Sequence, residues 1–404
     1  MRVNIVVTDP FPYGDAACNR IISYARELVK LGTEVNVHCL QPHVRPSQIG
    51  DNSPKPEVEG CFDGIFYQFP AKTVMWPETG ANPFRKVLLR LKSYIFSFID
   101  LFKHRKTTDI VLICTTRLFT FYFYWIVCRL LSLKYVVERS ELPTIVKNAE
   151  RYQKSFIGRF YIWLTKKSFK LFDGWIIETQ FLADYYLPRA HKNAKHCIAP
   201  MTVEHERFTT VQRYDTPYGR YIAYCGNMRE DDGVSILIEA FSHVHKKFPD
   251  VKLLLAGESS DTPKQKELAQ NLSVVDSVVF LGRLNRDEVP QFLKNATILA
   301  LASPTSPRSC ASMPCKVGEY LCTSNPVIVT SLGEIPKYLT DGVDSYLAEA
   351  DSAERFAEKL EFILNEPEER RNKIGAEGKN TALKYFSSKE QGENINRFFY
   401  TLIQ

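Results

Sequence analysis

Short β-branched runs recur along the whole chain with amphipathic segments between them, and this alternation limits the fold more than any other feature. In the first half the runs are "RVNIVVT", "EVNVHCL", "DIVLIC", "KYVVE", "GWIIE" and "KHCIA". Segments such as "CNRIISYARELVKLG" separate them, with apolar residues at helical spacing. After the turn-rich passage "FTTVQRYDTPYG" the pattern resumes with "YIAYCG", "VKLLLAG", "VVFLG", "TILALA" and "PVIVTS". Two βαβ series in succession predict an α/β protein with two Rossmann-like, doubly wound parallel-sheet domains. At 404 residues the chain exceeds what one core holds, which agrees. The expected domains are 1–205 and 206–385, with a C-terminal helix at about 386–404 packing back on the first. Residues 41–83 carry few periodic patterns and are expected to be a long surface loop around a short strand.

Composition removes several classes. Hydrophobic residues at 45% and charged residues at 24% are ordinary for a globular protein. The 10 cysteines lack disulfide-framework spacing, and "MRVNIVVTD" starts a strand without a signal-peptide pattern. A reducing, cytoplasmic setting is therefore expected. The longest apolar run, "LFTFYFYWIVC", is about half the ~20 residues that a membrane span requires. Charge is uneven: residues 1–200 hold 28 Lys and Arg against 17 Asp and Glu, and residues 201–404 hold 24 against 29. The basic surplus gathers in 83–106 and 151–172, where Lys and Arg alternate with large aromatics. That pattern fits helices lying on an anionic membrane surface, and it also fits buried helices with basic edges. Nucleic acid is the weaker partner, since no nucleic-acid module is visible.

In doubly wound sheets, ligands bind beyond the carboxyl ends of the strands, and two such sheets make the cleft between them the expected site. The turn "DPFPYGDAACNRI" offers Gly14, Asp15 and Asn19; a plain turn and helix cap explains Gly14 and Asp15 equally well. In "CGNMREDDGVSILIEAF", Gly226 ends a strand and Gly233 precedes a helix, without G-x-G-x-x-G spacing. No phosphate-loop motif is present, and Cys310, Cys315 and Cys322 lack a nearby His. "SMPCKVGEYLCTSNPVI" places Lys316 and Glu319 three residues apart on an expected helix. They form either half of a ligand site or an exposed ion pair worth about 0.2 to 0.5 kcal/mol.

Taken in order, "IAPMTVEHERF", "YIAYCGNMREDDGVSILIEAF", "LLLAGES", "VVFLGRLNRDEVPQFLKNATILALASP" and "SMPCKVGEYLCTSNPVIVTSLGEIPKYLTDGVDSYL" resemble the retaining GT-B glycosyltransferases of family four. The opening "DPFPYGDAACNRIISYARELVKLGTEVNVH" resembles theirs as well. The resemblance implies transfer of a sugar from a nucleoside-diphosphate sugar to a lipid-linked or glycan acceptor, in polysaccharide or glycolipid assembly at the inner membrane face. On the donor side it implies Gly226, Asn227, Arg229, Arg283, Ser312, Met313, Pro314 and Glu319, with Glu319 on the ribose. Lys316 and Arg229 would meet the diphosphate. "KYVVERSELP" resembles the segment facing the acceptor, which implies roles for Glu138, Arg139 and Glu141; salt-bridged surface charges are the plainer reading. The acceptor side would include Gly14, Asp15 and Asn19. No metal or other cofactor is implied, and the chain has no D-x-D motif placed to hold one.

The sequence departs from the family where Ala311 replaces a common glutamate and where Asn227 and Asp232 replace common basic residues. Two other readings follow: an epimerase acting on nucleotide sugars, and a membrane-associated partner subunit without catalysis.

Overall fold

The computed structural model describes residues 1–13, 16–41, 57–74, 83–143 and 153–404. The chain divides into two compact units, residues 1–199 with 391–404, and residues 200–390.

The first unit is built on an eight-stranded sheet ordered β3-β4-β2-β1-β5-β6-β7-β8. The strands are β1 (Arg2–Val7), β2 (Glu34–Cys39), β3 (Glu59–Phe62), β4 (Ile65–Gln68), β5 (Ile110–Cys114), β6 (Lys134–Arg139), β7 (Gly174–Ile177) and β8 (Lys195–Ile198). β1, β5 and β6 are almost continuously buried, as expected for parallel strands covered on both faces. The expected loop at 41–83 contains two strands instead of one. β3 pairs antiparallel with β4, so this sheet is mixed and not wholly parallel. The turn Asp63-Gly64, both at positive φ, makes that hairpin possible. The C-terminal helix Ser388–Ile403 puts Ile395, Phe398, Phe399 and Leu402 into the same core. A Cβ on Gly174 of β7 would lie 2.8 Å from Leu402 and 2.9 Å from Phe398, so that strand is small where the helix presses on it.

The second unit holds a six-stranded parallel sheet, ordered β11-β10-β9-β12-β13-β14. Its strands are β9 (Tyr221–Cys225), β10 (Lys252–Ala256), β11 (Val278–Gly282), β12 (Ile298–Leu301), β13 (Val327–Thr330) and β14 (Tyr346–Ala348). The short edge strand β14 was not foreseen from the sequence. Strand order reverses between β9 and β12, so the loops leaving these two strands diverge there and leave a crevice at their carboxyl ends. All 10 cysteines are unbridged.

Candidate functional site

Three glycines shape the turns at the reversal. Gly226, which follows β9, has φ +152°, and a Cβ there would lie 2.0 Å from Lys316 Cε and 2.9 Å from its Nζ. Gly257, which follows β10, would place a Cβ 1.8 Å from the Gly226 carbonyl oxygen. A Cβ on Gly233, at φ +79°, would lie 1.9 Å from the carbonyl oxygen of Ala302, just past β12. A side chain at Gly233 or Gly257 would force backbone apart, and one at Gly226 would displace the end of Lys316.

Lys316 sits in the first turn of the helix Cys315–Cys322, which begins after Pro314. Its ammonium donates to Tyr224 Oη at 2.7 Å and pairs with Asp232 Oδ1 at 3.0 Å. The Tyr224 hydroxyl donates in turn to the carbonyl of Asn227. Burial pushes the Lys316 ammonium below its ordinary pKa, Asp232 opposes that, and the charge of Arg308 adds to it. Arg308 is exposed and has no ion-pair partner among the described residues. The other oxygen of Asp232, Oδ2, is buried and lacks a hydrogen-bond partner among the described residues. An anion entering here would meet a lysine already desolvated and a second, exposed cation beside it.

Glu319 lies one turn further along the same helix. Its Oε1 is 3.3 Å from Arg207 Nη1, which comes from the 3-10 turn His205–Phe208 near the start of the second unit. Arg207 also donates to the carbonyl of Arg286, and Arg286 pairs with Glu204 at 2.7 Å. Burial raises the Glu319 pKa, against the attraction of Arg207 and Arg286. Tyr320 fixes the helix to the end of β9: its hydroxyl accepts from the Cys225 N–H at 2.8 Å and donates to the Cys225 carbonyl at 3.3 Å. Close packing at Gly318, where a Cβ would lie 2.8 Å from Met201, brings the first residues of the second unit against the helix.

The ion-pair reading of Lys316 with Glu319 is therefore corrected. Each has its own partner, Asp232 for one and Arg207 for the other. The remaining donor-side residues fall around them. Asn227 and Arg229 are exposed beyond β9, and Arg283 is exposed just past Gly282 at the end of β11. Ser312 Oγ donates to the Arg308 carbonyl at 2.9 Å, and Met313 is buried. Pro314 lines a cavity of about 10 Å³ with Ser303, Ser309 and Thr330, room for about one water. Ala311 is buried and puts a methyl where a carboxylate was looked for.

In the first unit Glu138 and Arg139 are buried, which corrects their reading as surface charges. Arg20 Nε donates to Glu138 at 2.7 Å and Arg20 Nη2 donates to the Ala199 carbonyl at 2.7 Å. Burial works against the Arg20 charge, but Glu138 and Glu178 outweigh it and hold its pKa above the ordinary value. Arg139 donates to the Thr115 carbonyl at 2.8 Å and lies 4.7 Å from the centre of the Phe121 ring. Glu141 is exposed, and its carbonyl accepts the Tyr186 hydroxyl at 2.8 Å. Asn19 is exposed on the helix Ala16–Lys30. Gly14 and Asp15 lie outside the described residues.

Sequence reasoning missed Tyr224, Arg207, Arg308 and Arg286. Asp232 was noted only as a departure, and no local pattern connects it to Lys316 across 84 positions. Among the described residues no group of three or more His, Cys, Asp or Glu could hold a metal ion.

Comparison with known proteins bears on the family and the fold. Residues 215–381 match the model of the family described as glycosyl transferases group 1. N-acetyl-alpha-D-glucosaminyl L-malate synthase of Bacillus anthracis is 24% identical over 185 residues, 46% of this chain and 46% of that protein. The chain thus spans less than half the length of that relative. Sucrose-phosphate synthase from Thermosynechococcus elongatus superimposes with a TM-score of 0.72 at 14% identity, covering 100% of this chain and 99% of that one. Anabaena HepE in complex with UDP and glucose superimposes with a TM-score of 0.69 at 12% identity, covering 99% of this chain and 100% of that one. These likenesses show the fold, which is GT-B.

Proposed function

We propose, from the match of residues 215–381 to glycosyl transferases group 1 and from the GT-B fold, that the protein transfers a sugar, with retention, from a nucleoside-diphosphate sugar to an acceptor. One observation carries the reading. Lys316 and Glu319 project from one helix beside the strand-order reversal, the lysine at the Gly226 turn and the glutamate toward Arg207.

The two side chains suit the two ends of a nucleoside diphosphate. A diphosphate brings about two negative charges, and the ammonium of Lys316 and the guanidinium of Arg308 stabilise both the bound phosphates and the charge that grows as the sugar departs. Glu319 is an acceptor without a proton to donate when ionised, so it suits the paired hydroxyls of a ribose. Tyr320 and Gly318 hold its helix in place. HepE, a structural neighbour, is found with UDP, which supports a nucleotide donor. In retention by front-face attack the leaving phosphate takes the acceptor proton, so no dedicated base is required, and Lys316 and Arg308 would do at the diphosphate what a metal ion does elsewhere. The acceptor is lipid-linked or a glycan, met by the protein as a peripheral component of the cytoplasmic membrane face. No described helix is long and apolar enough to cross a membrane.

The Lys316–Asp232 pair and Ala311 favour one other reading, a subunit that binds nucleotide without turnover. A thermal-shift screen with nucleoside diphosphates and their sugars, followed by product analysis, tests both. A new glycosidic bond with the donor's anomeric configuration is expected. An isomerised nucleotide sugar would make the protein an epimerase, and stabilisation without any turnover would leave the inactive subunit.

A further inference from the structure

The helix Pro83–Lys103 exposes most of its large apolar side chains. A helix on a soluble protein turns its apolar stripe to the core. Here Ser93 and Ser97 are buried together with Tyr94 and Leu101, and hydrogen bonds help fix the inner face. His38 of β2 places Nδ1 2.7 Å from Ser97 Oγ and Nε2 3.1 Å from Asp100 Oδ2. Ser97 also meets the Tyr124 hydroxyl at 2.6 Å, and Tyr94 meets Thr120 at 2.7 Å. The outward face is apolar instead: Phe84 is 74% exposed, Leu88 56%, Leu91 46% and Ile95 55%.

Two neighbouring helices extend this face. The helix Leu118–Leu131 lies alongside, with Tyr94 5.0 Å from both the Phe119 and Phe123 rings, and it exposes Phe119 and Leu130. The helix Phe156–Ser168 follows, joined by the Tyr122 hydroxyl donating to the Leu164 carbonyl at 2.9 Å, and it exposes Ile157 and Trp163.

We propose that this three-helix layer docks the protein on an anionic lipid surface through the outward residues of 83–103, 118–131 and 156–168. Charge decides between a lipid surface and a second copy. Residues 83–106 carry seven Lys and Arg against the single acid Asp100, itself held by His38, and residues 153–172 carry five against none. Two copies meeting through this face would bring like charges together. An anionic headgroup layer would complement them while the apolar tips enter the acyl boundary. The cations are already beside aromatic rings: Arg105 is 4.3 Å from the Phe102 ring centre and Lys167 is 5.7 Å from that of Trp163. The proposal names the surface by which the peripheral protein of the preceding section meets its membrane, and it rests on that reading.

Co-sedimentation of the full chain with phosphatidylcholine vesicles, with and without phosphatidylglycerol, tests it. Binding is expected to need the anionic lipid and to weaken as salt is added. The triple variant Leu88→Ser, Leu91→Ser, Ile95→Ser is expected to bind at least about tenfold more weakly. Phe362→Ser, which changes an equally exposed side chain in the second unit, is expected to leave binding unchanged. Stabilisation by UDP is measured on the same samples. Absent vesicle binding with UDP binding intact would overturn the docking face alone, and the converse would overturn the donor reading alone. Equal binding to neutral vesicles, equal loss with Phe362→Ser, or a concentration-dependent dimer that the triple variant abolishes without vesicle binding would each overturn the proposal.

Discussion

Glu319→Gln separates a ligand contact from a structural one. The amide keeps the shape and removes the charge. A hydrogen bond to a charged group is worth roughly 1.5 to 3 kcal/mol, so nucleoside-diphosphate affinity is expected to fall about tenfold to a hundredfold. Stability should respond differently. Burial raises the Glu319 pKa above its ordinary 4.5, so between 4.5 and the raised value the folded protein binds more protons than the unfolded chain. Stability therefore falls as pH rises through that window, and at neutral pH the ionised carboxylate is a net burden on the empty protein. The glutamine variant is expected to melt no lower than the parent at neutral pH and to lose that part of the pH dependence. Calorimetric titration with UDP and melting curves from about pH 4 upward, in steps of about one pH unit, give both readouts. Unchanged affinity with a lowered melting temperature would refute the reasoning and leave Glu319 as a tether for Arg207, 3.3 Å away.

Lys316→Met leaves Asp232 buried without its cation and is expected to cost about 3 to 5 kcal/mol of stability, which Lys316→Met with Asp232→Asn largely restores. Donor affinity stays low in both, and a double variant with parental affinity by calorimetry would remove Lys316 from the site. Gly226→Ala puts a methyl at φ +152° against the flexible end of Lys316, so a stability loss of about 1 to 3 kcal/mol with a larger proportional loss of UDP affinity is expected from melting and titration. Chelator treatment is expected to leave turnover unchanged; activity abolished by it and restored by manganese would show metal-assisted departure in place of the cationic side chains.

The sequence by itself determined the two βαβ series, because strand and helix periodicity are local and a buried parallel strand needs an unbroken apolar run, as in Ile110–Cys114 and Val327–Thr330. It also marked the helix with Lys316 and Glu319. What the periodicity does not carry is direction and distance. The three residues of β14 are too few to form a pattern, and the β3–β4 hairpin owes its existence to a positive-φ turn in a poorly patterned stretch. The helix 83–103 has the same amphipathic spacing whichever side faces the sheet; the pairing of His38 with Ser97 and Asp100, with Tyr94 and Leu101 buried beside it, settles which side turns inward. The three-residue spacing of Lys316 and Glu319 left an ion pair open beside a ligand site. Tertiary packing gave each a partner more than 80 positions away, since charges pair by proximity in space once the backbone has brought their elements together.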